Sequence, residues 1–266
     1  MTTHHLPDGR KLAFRQEGEG PVLVLLHGWS MSSAVFSEIM SRLAADFRVL
    51  APDLRGHGFS DEGAGYALVD FAEDLRDWLA TFEEPIDLFG WSFGGQVAMR
   101  LQQLEPGFVK RLGLISSTPR FVSTPEWSSG LPQGQVLAML RQLKRHYRQA
   151  MSDFFDLQFF GEDLSPRRYR EIVDSAVRQG RLPDPDVAES TLKTLYRGNL
   201  GPELSHIQCP TYVMHGEQDR ICPAGAGRAL AEKIPHARLE MLNGIGHAPF
   251  LSDPQKVARH WRAFLQ

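Results

Sequence analysis

A serine between two glycines is the feature of this 266-residue sequence that most clearly could do chemistry. Ser92 lies in the run Gly90-Trp-Ser-Phe-Gly94, after an apolar segment and before a segment of helical spacing. Glycines two positions away permit a tight strand-to-helix turn, where larger side chains would collide with the backbone. That turn lifts the hydroxyl above a sheet at the positive end of a helix. We predict that Ser92 is a nucleophile and that the Phe93 N–H faces its oxyanion.

An acid later in the chain is required to orient a catalytic histidine. Asp219 lies in the run His-Gly-Glu-Gln-Asp-Arg-Ile-Cys-Pro, after a predicted strand and a glycine turn. Glu217 is the competing acid in the same turn. Asp219 is preferred because it lies further along the turn, just before an apolar residue and Pro223, where the next helix starts. Its predicted role is to hold the histidine tautomer and to stabilise the imidazolium.

A histidine in the last loop fits the role of general base. His247 follows the last predicted strand and precedes the last predicted helix, which gives the order serine, acid, histidine. Gly244 and Gly246 would let this loop fold back toward Ser92. We predict that His247 takes the serine proton and then gives it to the leaving alkoxide.

A second oxyanion donor is expected in the loop after an earlier strand. The run Leu-Leu-His27-Gly-Trp29 follows that strand, and the Trp29 N–H is the predicted donor, with its indole as a wall of the substrate pocket. His27 has a structural interpretation instead, in which its ring hydrogen-bonds the local backbone. Arg55 and His57 lie in another glycine-rich turn and are likewise expected to fix a loop.

Short apolar runs alternate with longer stretches of helical spacing. Near-continuous apolarity predicts strands buried on both faces of a parallel sheet. The predicted strands are Val22–Leu26, Phe47–Ala51, Ile86–Phe89, Leu112–Ser116, Pro210–His215 and Arg238–Leu242. The predicted helices are Ser33–Ala45, Leu68–Phe82, Gly94–Leu104, Ala224–Ile234 and Pro254–Phe264. With Lys11–Gln16 as an antiparallel edge strand, this pattern predicts a mostly parallel, doubly wound α/β sheet, and with the serine turn the α/β-hydrolase fold.

No strand is predicted between the fourth and fifth of these parallel strands, where the helical signal is strong. Apolar residues spaced along one helix face predict a single long helix over Val136–Phe155. Two further helices are predicted, Pro166–Gln179 and Pro185–Arg197. We expect residues 119–204 to form a helical cap inserted into a core of residues 1–118 and 205–266, within a single domain.

The motifs jointly resemble one family over nearly the whole chain. The segments that carry the resemblance are His27-Gly-Trp29, Gly90-Trp-Ser-Phe-Gly-Gly95, Ser116-Ser-Thr-Pro-Arg-Phe121 with Glu126-Trp127, Phe154-Phe-Asp-Leu-Gln158 and His247-Ala-Pro-Phe250. The serine motif alone is common to many hydrolases, but the combination is much more specific. On these residues the chain resembles the BioH-type pimeloyl-[acyl-carrier protein] methyl ester esterases of biotin synthesis.

The resemblance implies a cofactor-free serine carboxylesterase that cleaves the methyl ester of pimeloyl-acyl carrier protein through an acyl-enzyme. It implies a substrate site formed by Trp29, Ser92, Phe93, Phe154, Phe155, Asp156, Leu157, Gln158 and His247. An aromatic cap helix above a serine agrees with this, because it would make an apolar slot for an acyl chain. Phe154 and Phe155 also have a second interpretation, in which they only pack the cap onto the core.

The resemblance further implies that arginines of the cap bind an acidic acyl carrier protein. At the nearest matching positions this chain has Gln149 and Asp153, which are not basic. Other basic residues flank the aromatic stretch, namely Lys144, Arg145, Arg148, Arg167, Arg168 and Arg170. A basic rim of this kind could steer an acidic carrier. A charge cluster on a helix is also typical of a solvated face, so both interpretations stay open.

Two other functions use the same residues. One is a general short-chain carboxylesterase, or a carbon–carbon bond hydrolase of the same fold, although an aromatic cap suits the polar substrate of the latter poorly. The other is a non-catalytic binding module, which the complete triad disfavours. A serine instead of an aspartate at position 92 argues against dehalogenase and epoxide-hydrolase chemistry.

Composition narrows the possible partners and the expected location. The net charge is −3 and the pI is about 6.4, which gives no indication of nucleic-acid binding. No apolar run reaches the roughly 20 residues of a membrane-spanning helix, and the first residues lack a signal-peptide pattern. The only cysteines are Cys209 and Cys222, and no cluster has the spacing of metal ligands. We expect a cytoplasmic, monomeric protein without a metal.

Overall fold

A single eight-stranded sheet forms the centre of the structure, a computed structural model that describes residues 1–266. Its strands are β1 (Thr2–His5), β2 (Lys11–Glu17), β3 (Val22–Leu26), β4 (Arg48–Pro52), β5 (Ile86–Trp91), β6 (Val109–Ile115), β7 (Thr211–Gly216) and β8 (Arg238–Leu242). The strand order is β1-β2-β4-β3-β5-β6-β7-β8. Strands β3 to β8 run parallel, while β1 and β2 are antiparallel, so the predicted doubly wound sheet with an antiparallel edge is confirmed.

Ten α-helices connect or cover the strands. They are α1 (Ser37–Leu43), α2 (Leu68–Leu79), α3 (Phe93–Leu104), α4 (Gln133–Arg145), α5 (Tyr147–Leu157), α6 (Pro166–Ile172), α7 (Pro185–Arg197), α8 (Ala224–Lys233), α9 (Pro249–Ser252) and α10 (Pro254–Leu265). A 3₁₀ turn over Ser33–Phe36 precedes α1, where the sequence predicts one continuous helix. None of these helices is both long and apolar enough to cross a membrane.

The register of the parallel strands brings the predicted site residues to one edge of the sheet. Every residue of β5 and β7 is buried, as expected for strands covered on both faces. Leu26 at the end of β3 is paired with Gly90 near the end of β5. The loops that follow β3, β5, β7 and β8 therefore emerge side by side, at the edge where open α/β sheets bind their ligands.

The helices α4 to α7 lie between β6 and β7 and cover that edge; we call residues 119–204 the cap. The prediction of one long helix over Val136–Phe155 is wrong, because the chain leaves the helical conformation at His146, with φ −143° and ψ 58°. The break lets α5 fold back onto α4, which also packs against α7. The apolar stripe is thus divided between two short helices, which bury it against each other and against the core.

The edge strand β1 is a structural element that the sequence pattern does not indicate. It consists of Thr-Thr-His-His and pairs antiparallel with β2, from Thr2 opposite Phe14 to His5 opposite Lys11. Its side chains are mostly exposed, so it lacks the apolar signal on which strand prediction depends.

Two buried histidines hold the loops after β3 and β4. The Nε2 of His27 accepts the Leu54 N–H at 2.9 Å, and its Nδ1 is 2.9 Å from the Gly28 carbonyl oxygen. The Nδ1 of His57 is 2.9 Å from the Arg55 carbonyl oxygen. Burial lowers the pKa of His27 to about 4, and burial together with the neighbouring His27 lowers the pKa of His57 to about 3. Both rings are therefore neutral, hydrogen-bonded supports of the backbone, as the sequence predicts.

These two histidines make the stability of the protein sensitive to acid. The unfolded chain takes up protons on both rings near pH 6.5, whereas the folded chain does so only near pH 4 and below. We predict that the free energy of unfolding falls as the pH is lowered from 6.5 toward 4, with up to about two extra protons bound on unfolding. Urea unfolding across this range measures the slope. His57→Asn should reduce it by about one proton, and an unchanged slope in that variant would contradict the explanation.

Candidate active site

Ser92 occupies a strained turn between β5 and α3. Its φ of 54° and ψ of −115° lie in a region that residues with side chains rarely adopt. The turn is held by two hydrogen bonds, from the Ser92 N–H to the Ile115 carbonyl at 2.9 Å and from the Ser117 hydroxyl to the Ser92 carbonyl at 2.8 Å. The side chain is almost buried, with 7% of the residue's surface exposed. The surroundings thus impose the strain that puts the hydroxyl at the head of α3.

The two glycines of the motif are required by close backbone contacts. A Cβ at Gly90 would lie 2.3 Å from the Gly94 carbonyl oxygen, and a Cβ at Gly94 would lie 2.3 Å from the Leu26 carbonyl oxygen. Both distances are far below van der Waals contact, so no other residue fits either position without moving the backbone. The sequence pattern therefore has a direct steric cause.

Asp219 and His247 form a buried hydrogen-bonded pair. The loop after β7 places Asp219, and the loop after β8 places His247, so that Oδ2 of the acid is 2.8 Å from Nδ1 of the ring. The alternative acid, Glu217, is exposed and lies 3.8 Å from Arg228 instead. Of the two acids in this turn, Asp219 is the one that the fold brings to the histidine.

Three further donors surround the Asp219 carboxylate. Its Oδ1 accepts the N–H groups of Ile221 at 2.8 Å and Cys222 at 2.9 Å. Its Oδ2 lies 3.2 Å from Nε2 of His215, a fully buried ring whose Nε2 is also 2.7 Å from the Cys222 carbonyl oxygen. Burial by itself raises the pKa of Asp219, but the two histidines and these hydrogen bonds outweigh it and hold the pKa well below its ordinary value. The acid is therefore a carboxylate at neutral pH.

The other end of the His247 ring is free. Its Nε2 is buried and makes no hydrogen bond, while Nδ1 is taken by Asp219. The backbone of the same residue is fixed on both sides, because its N–H donates to the Gln158 carbonyl at 2.8 Å and its carbonyl accepts the Trp91 indole N–H at 2.8 Å. The second contact ties the histidine to the residue immediately before Ser92. An unpaired, buried imidazole nitrogen beside a serine turn is able to accept a hydroxyl proton.

The two predicted oxyanion donors lie on either side of Ser92. Phe93 is the first residue of α3, where helix N–H groups have no acceptor within the helix. The Trp29 N–H makes no hydrogen bond within the protein. A Cβ built on the preceding Gly28 would be 3.4 Å from the Ser92 Cβ, so the Trp29 loop lies against the serine. Two unpaired backbone donors next to one hydroxyl can stabilise a tetrahedral oxyanion.

The Trp29 side chain connects this loop with the cap. Its indole N–H donates to the Ala188 carbonyl at 3.1 Å and to the Thr191 hydroxyl at 3.0 Å, both on α7. Its ring meets Phe154 of α5 edge-on, with 4.7 Å between centroids. These contacts place Trp29 beneath the cap, as expected for a wall of a covered pocket.

The five predicted cap contacts, residues 154–158, do not all face the same way. Phe154 and Leu157 line a cavity of about 130 Å³ with Trp29, and Gln158 is fully buried with no hydrogen bond to its side-chain amide. Phe155 lies on the opposite side of α5 and packs against Phe159 and Tyr169. Asp156 is exposed and accepts a hydrogen bond from the Tyr169 hydroxyl, so its side chain points away from Trp29.

A larger cleft opens on the Phe155 side of α5. It has a volume of about 490 Å³ and begins at Ser30 and Met31, directly after Trp29. Its apolar walls include Met151 and Phe155, and two arginines, Arg148 and Arg181, lie at its margin. The cleft thus leads from the oxyanion loop to the surface of the cap.

Three residues near the triad were missed by the sequence interpretation. His215 belongs to a predicted strand, so it was given no role at the site, although it lies four residues before Asp219. Cys222 carries a buried thiol close to the Ser92 side chain, and burial raises its pKa well above the ordinary value. Glu162 of the cap accepts the N–H of Gly246, and only the folded chain brings these two positions together. No group of three or more side chains has the arrangement of a metal site.

Solved structures share this architecture. An esterase from Exiguobacterium antarcticum superimposes with a TM-score of 0.91, at 24% identity over 99% of this chain and 98% of its own. An enol-lactonase from Burkholderia xenovorans does so with a TM-score of 0.84, at 23% identity over 99% of both chains. At these identities the likeness establishes the fold, which agrees with the α/β-hydrolase prediction.

Sequence relatives define the family more narrowly. Residues 23–260 match the model of the alpha/beta hydrolase family. The pimeloyl-[acyl-carrier protein] methyl ester esterase of Nitrosomonas europaea is 37% identical over 90% of this chain and 93% of its own length. The enzyme of the same name from Chromobacterium violaceum is 35% identical over 91% and 93%. The chain therefore belongs to the α/β-hydrolase family and, within it, to the pimeloyl-[acyl-carrier protein] methyl ester esterases.

Proposed function

We propose that the protein hydrolyses the methyl ester of pimeloyl-acyl carrier protein in biotin synthesis, with Ser92, Asp219 and His247 as its catalytic triad. The observation that carries the site assignment is the buried pair of Asp219 and His247, in which Nε2 of the histidine is unpaired. The ring centroid of His247 lies 5.4 Å from that of Trp91, the residue before Ser92. The substrate comes from the relatives, since the enzymes of that name are up to 37% identical over nearly their whole length. Membership of the family makes the chain a carboxylic ester hydrolase.

In the first half of the reaction, Ser92 Oγ attacks the carbonyl carbon of the methyl ester. His247 Nε2 takes the hydroxyl proton, and the negative oxygen of the tetrahedral intermediate accepts the N–H groups of Trp29 and Phe93. The carbon–methoxy bond then breaks, and His247 gives its proton to the departing methoxide. The products are methanol and an acyl-enzyme in which Ser92 is esterified.

In the second half, water replaces the serine oxygen. His247 removes a proton from the water as it attacks the acyl-enzyme, and then returns that proton to Ser92 Oγ. The free carboxylate leaves, with the rest of the acyl chain still attached to the carrier. Asp219 remains a carboxylate throughout, because its hydrogen bonds favour the charged form, and it stabilises the imidazolium formed in each step.

The acyl chain fits the apolar surroundings of Trp29. The aromatic contact between Trp29 and Phe154, together with Leu157, provides an apolar surface next to the oxyanion donors. Burial of methylene groups against such a surface contributes roughly 0.8 kcal/mol for each group. Phe154 and Leu157 are the cap residues that we assign to the ester end of the acyl chain, beside Trp29, with the buried Gln158 amide as a polar group at the end of α5. The part of the chain nearer the carrier is assigned to the cleft on the Phe155 side.

The carrier protein is assigned to the basic side of the cap. Several of its basic residues are already paired, Lys144 with Glu189, Arg168 with Glu38 and Arg167 with Glu171. Arg145, Arg148, Arg170 and Arg181 have no carboxylate within 4.0 Å, so their charges are available to a partner. Because Arg148 and Arg181 lie at the margin of the cleft that begins beside Trp29, a carrier bound there could pass its acyl arm toward Ser92.

If Asp219 orients His247, replacing one of its carboxylate oxygens by an amide nitrogen should strongly reduce catalysis. Asp219→Asn should lower kcat by about 10⁴-fold, because an amide favours the wrong histidine tautomer while it keeps the geometry. Hydrolysis of p-nitrophenyl butyrate by the purified variant measures this. Glu217→Gln, in the same turn, is the matched control and should retain full activity. A small effect of Asp219→Asn, or a comparable loss in the control, would contradict the triad.

The substrate assignment predicts a preference for the carrier-bound ester. We expect kcat/KM for the methyl ester of pimeloyl-acyl carrier protein to exceed that for free dimethyl pimelate, since only the former brings the binding energy of the carrier. We also expect the gene to restore growth of a biotin auxotroph that lacks its esterase. Equal kcat/KM values without rescue, from soluble enzyme that is active on model esters, would instead indicate a general carboxylesterase.

The assignment of the carrier to the basic side of the cap predicts that removing its free arginines weakens binding of the carrier-bound ester alone. Changing Arg148 and Arg181 together to Ala should raise KM for the carrier-bound ester severalfold and leave kinetics on p-nitrophenyl butyrate unchanged, since rim charges act mainly on encounter. Arg167→Ala removes a charge that is already paired with Glu171 and serves as the control. If the double variant behaves like the control at low ionic strength, the carrier binds elsewhere.

A further inference from the structure

The cap holds the loop of the catalytic histidine at two successive residues. Immediately after α5, the Gln158 carbonyl accepts the His247 N–H at 2.8 Å, and Oε1 of Glu162 accepts the Gly246 N–H at 2.7 Å. Both contacts join the cap to the core across more than 80 residues of sequence. The turn over residues 158–162 is therefore a clamp on the backbone that carries the base.

The fit between the clamp and the loop is tight. A Cβ on Gly246 would lie 2.5 Å from the Gln158 carbonyl oxygen and 2.7 Å from Oε1 of Glu162. Gly246 is thus a glycine because the cap approaches its backbone directly. The φ of this residue is not positive, so the requirement is one of space and not of backbone conformation.

Apart from the bond between the His247 ring and Asp219, the core holds the same loop at its carbonyl groups. The Ile245 carbonyl accepts the Gln218 N–H at 2.9 Å, and the His247 carbonyl accepts the Trp91 indole N–H at 2.8 Å. The N–H groups of Gly246 and His247 have acceptors only in the cap. A buried N–H that loses its acceptor carries a desolvation penalty of about 1–3 kcal/mol, so the two acceptors of the cap favour the observed position of the loop.

We propose that Glu162 is a positioning residue for His247: its carboxylate accepts the Gly246 N–H and thereby aligns the base with Ser92. The inference rests on the proposed role of His247 as the base. The side chain is suited to this role because it is half-buried and held close to the loop. Burial raises the pKa of Glu162 and the Asp219 carboxylate raises it further, while the nearby Ser252 side chain and the hydrogen bond from Gly246 lower it. The function requires an acceptor oxygen and not a charge.

Variants of Glu162 that lose the acceptor oxygen can be compared with a variant that loses only the charge. The substrate is p-nitrophenyl butyrate, which needs neither carrier nor pimeloyl chain. Glu162→Ala removes the acceptor and should lower kcat about tenfold or more with KM nearly unchanged, because a base displaced by a fraction of an ångström loses rate and not substrate binding. Glu162→Gln keeps an oxygen at the same position and should recover most of kcat. Asp163→Ala, at the adjacent exposed residue, should equal the wild type.

Each rate is divided by the concentration of active sites, which is measured by titration with a fluorophosphonate. Misfolded protein does not react with this reagent and is therefore excluded from kcat. If Glu162→Ala does not fold, Glu162→Asp, which withdraws the carboxylate by one methylene, should show the same fall in kcat to a smaller degree. The proposal is overturned if Glu162→Ala keeps the wild-type kcat, if Glu162→Gln loses as much as Ala, or if the loss appears in KM. A failure of the proposed catalytic roles looks different, because wild-type protein would then not react with the fluorophosphonate at Ser92. A failure of the substrate assignment alone leaves both this labelling and the Glu162 result unchanged.

Discussion

The hydrogen bond between Asp219 and His247 is the interaction on which the rest of the site depends. A buried carboxylate is costly unless its oxygens are fully paired, and here two backbone N–H groups and two histidine rings surround it. The loop after β7 supplies the acid with most of these donors within four residues. With Nδ1 of His247 fixed in this way, its Nε2 is left unpaired, in a ring that lies 5.4 Å from that of Trp91, the residue before Ser92.

The cap takes part in the site through three contacts that differ in kind. The indole of Trp29 is bonded to α7, its ring packs on α5, and the turn after α5 holds the loop of His247. The loops that carry Trp29 and His247 are thus both attached to the same helical insertion. A covered site of this construction excludes water and keeps the donors preorganised, which is where most electrostatic stabilisation of a transition state arises.

The sequence predicts the sheet and the serine turn well because both have local signals. Strands buried on two faces are continuous apolar runs, and Gly90 and Gly94 follow from backbone contacts that no other residue tolerates. The polar strand β1, the break at His146 and the clamp by Glu162 have no such signal. The clamp depends on a partner more than 80 residues along the chain, and the break depends on the packing of α4 against α5 and α7, so both are set by the assembled fold. Strand β1 pairs with its neighbour β2 but lacks apolar residues. The roles of the cap residues likewise depend on which face of α5 meets Trp29.

The chemistry makes one measurement especially direct, because the methyl ester lies at the end of the acyl chain opposite the carrier. Attack of Ser92 on that ester must join enzyme and carrier covalently until water releases them. Acid quenching of a single turnover, followed by intact-mass spectrometry and peptide mapping, should detect Ser92 bearing the whole pimeloyl-acyl carrier protein with loss of methanol. Serine carrying only a pimeloyl methyl ester, which means attack at the carrier thioester, or acylation at another residue would contradict the account.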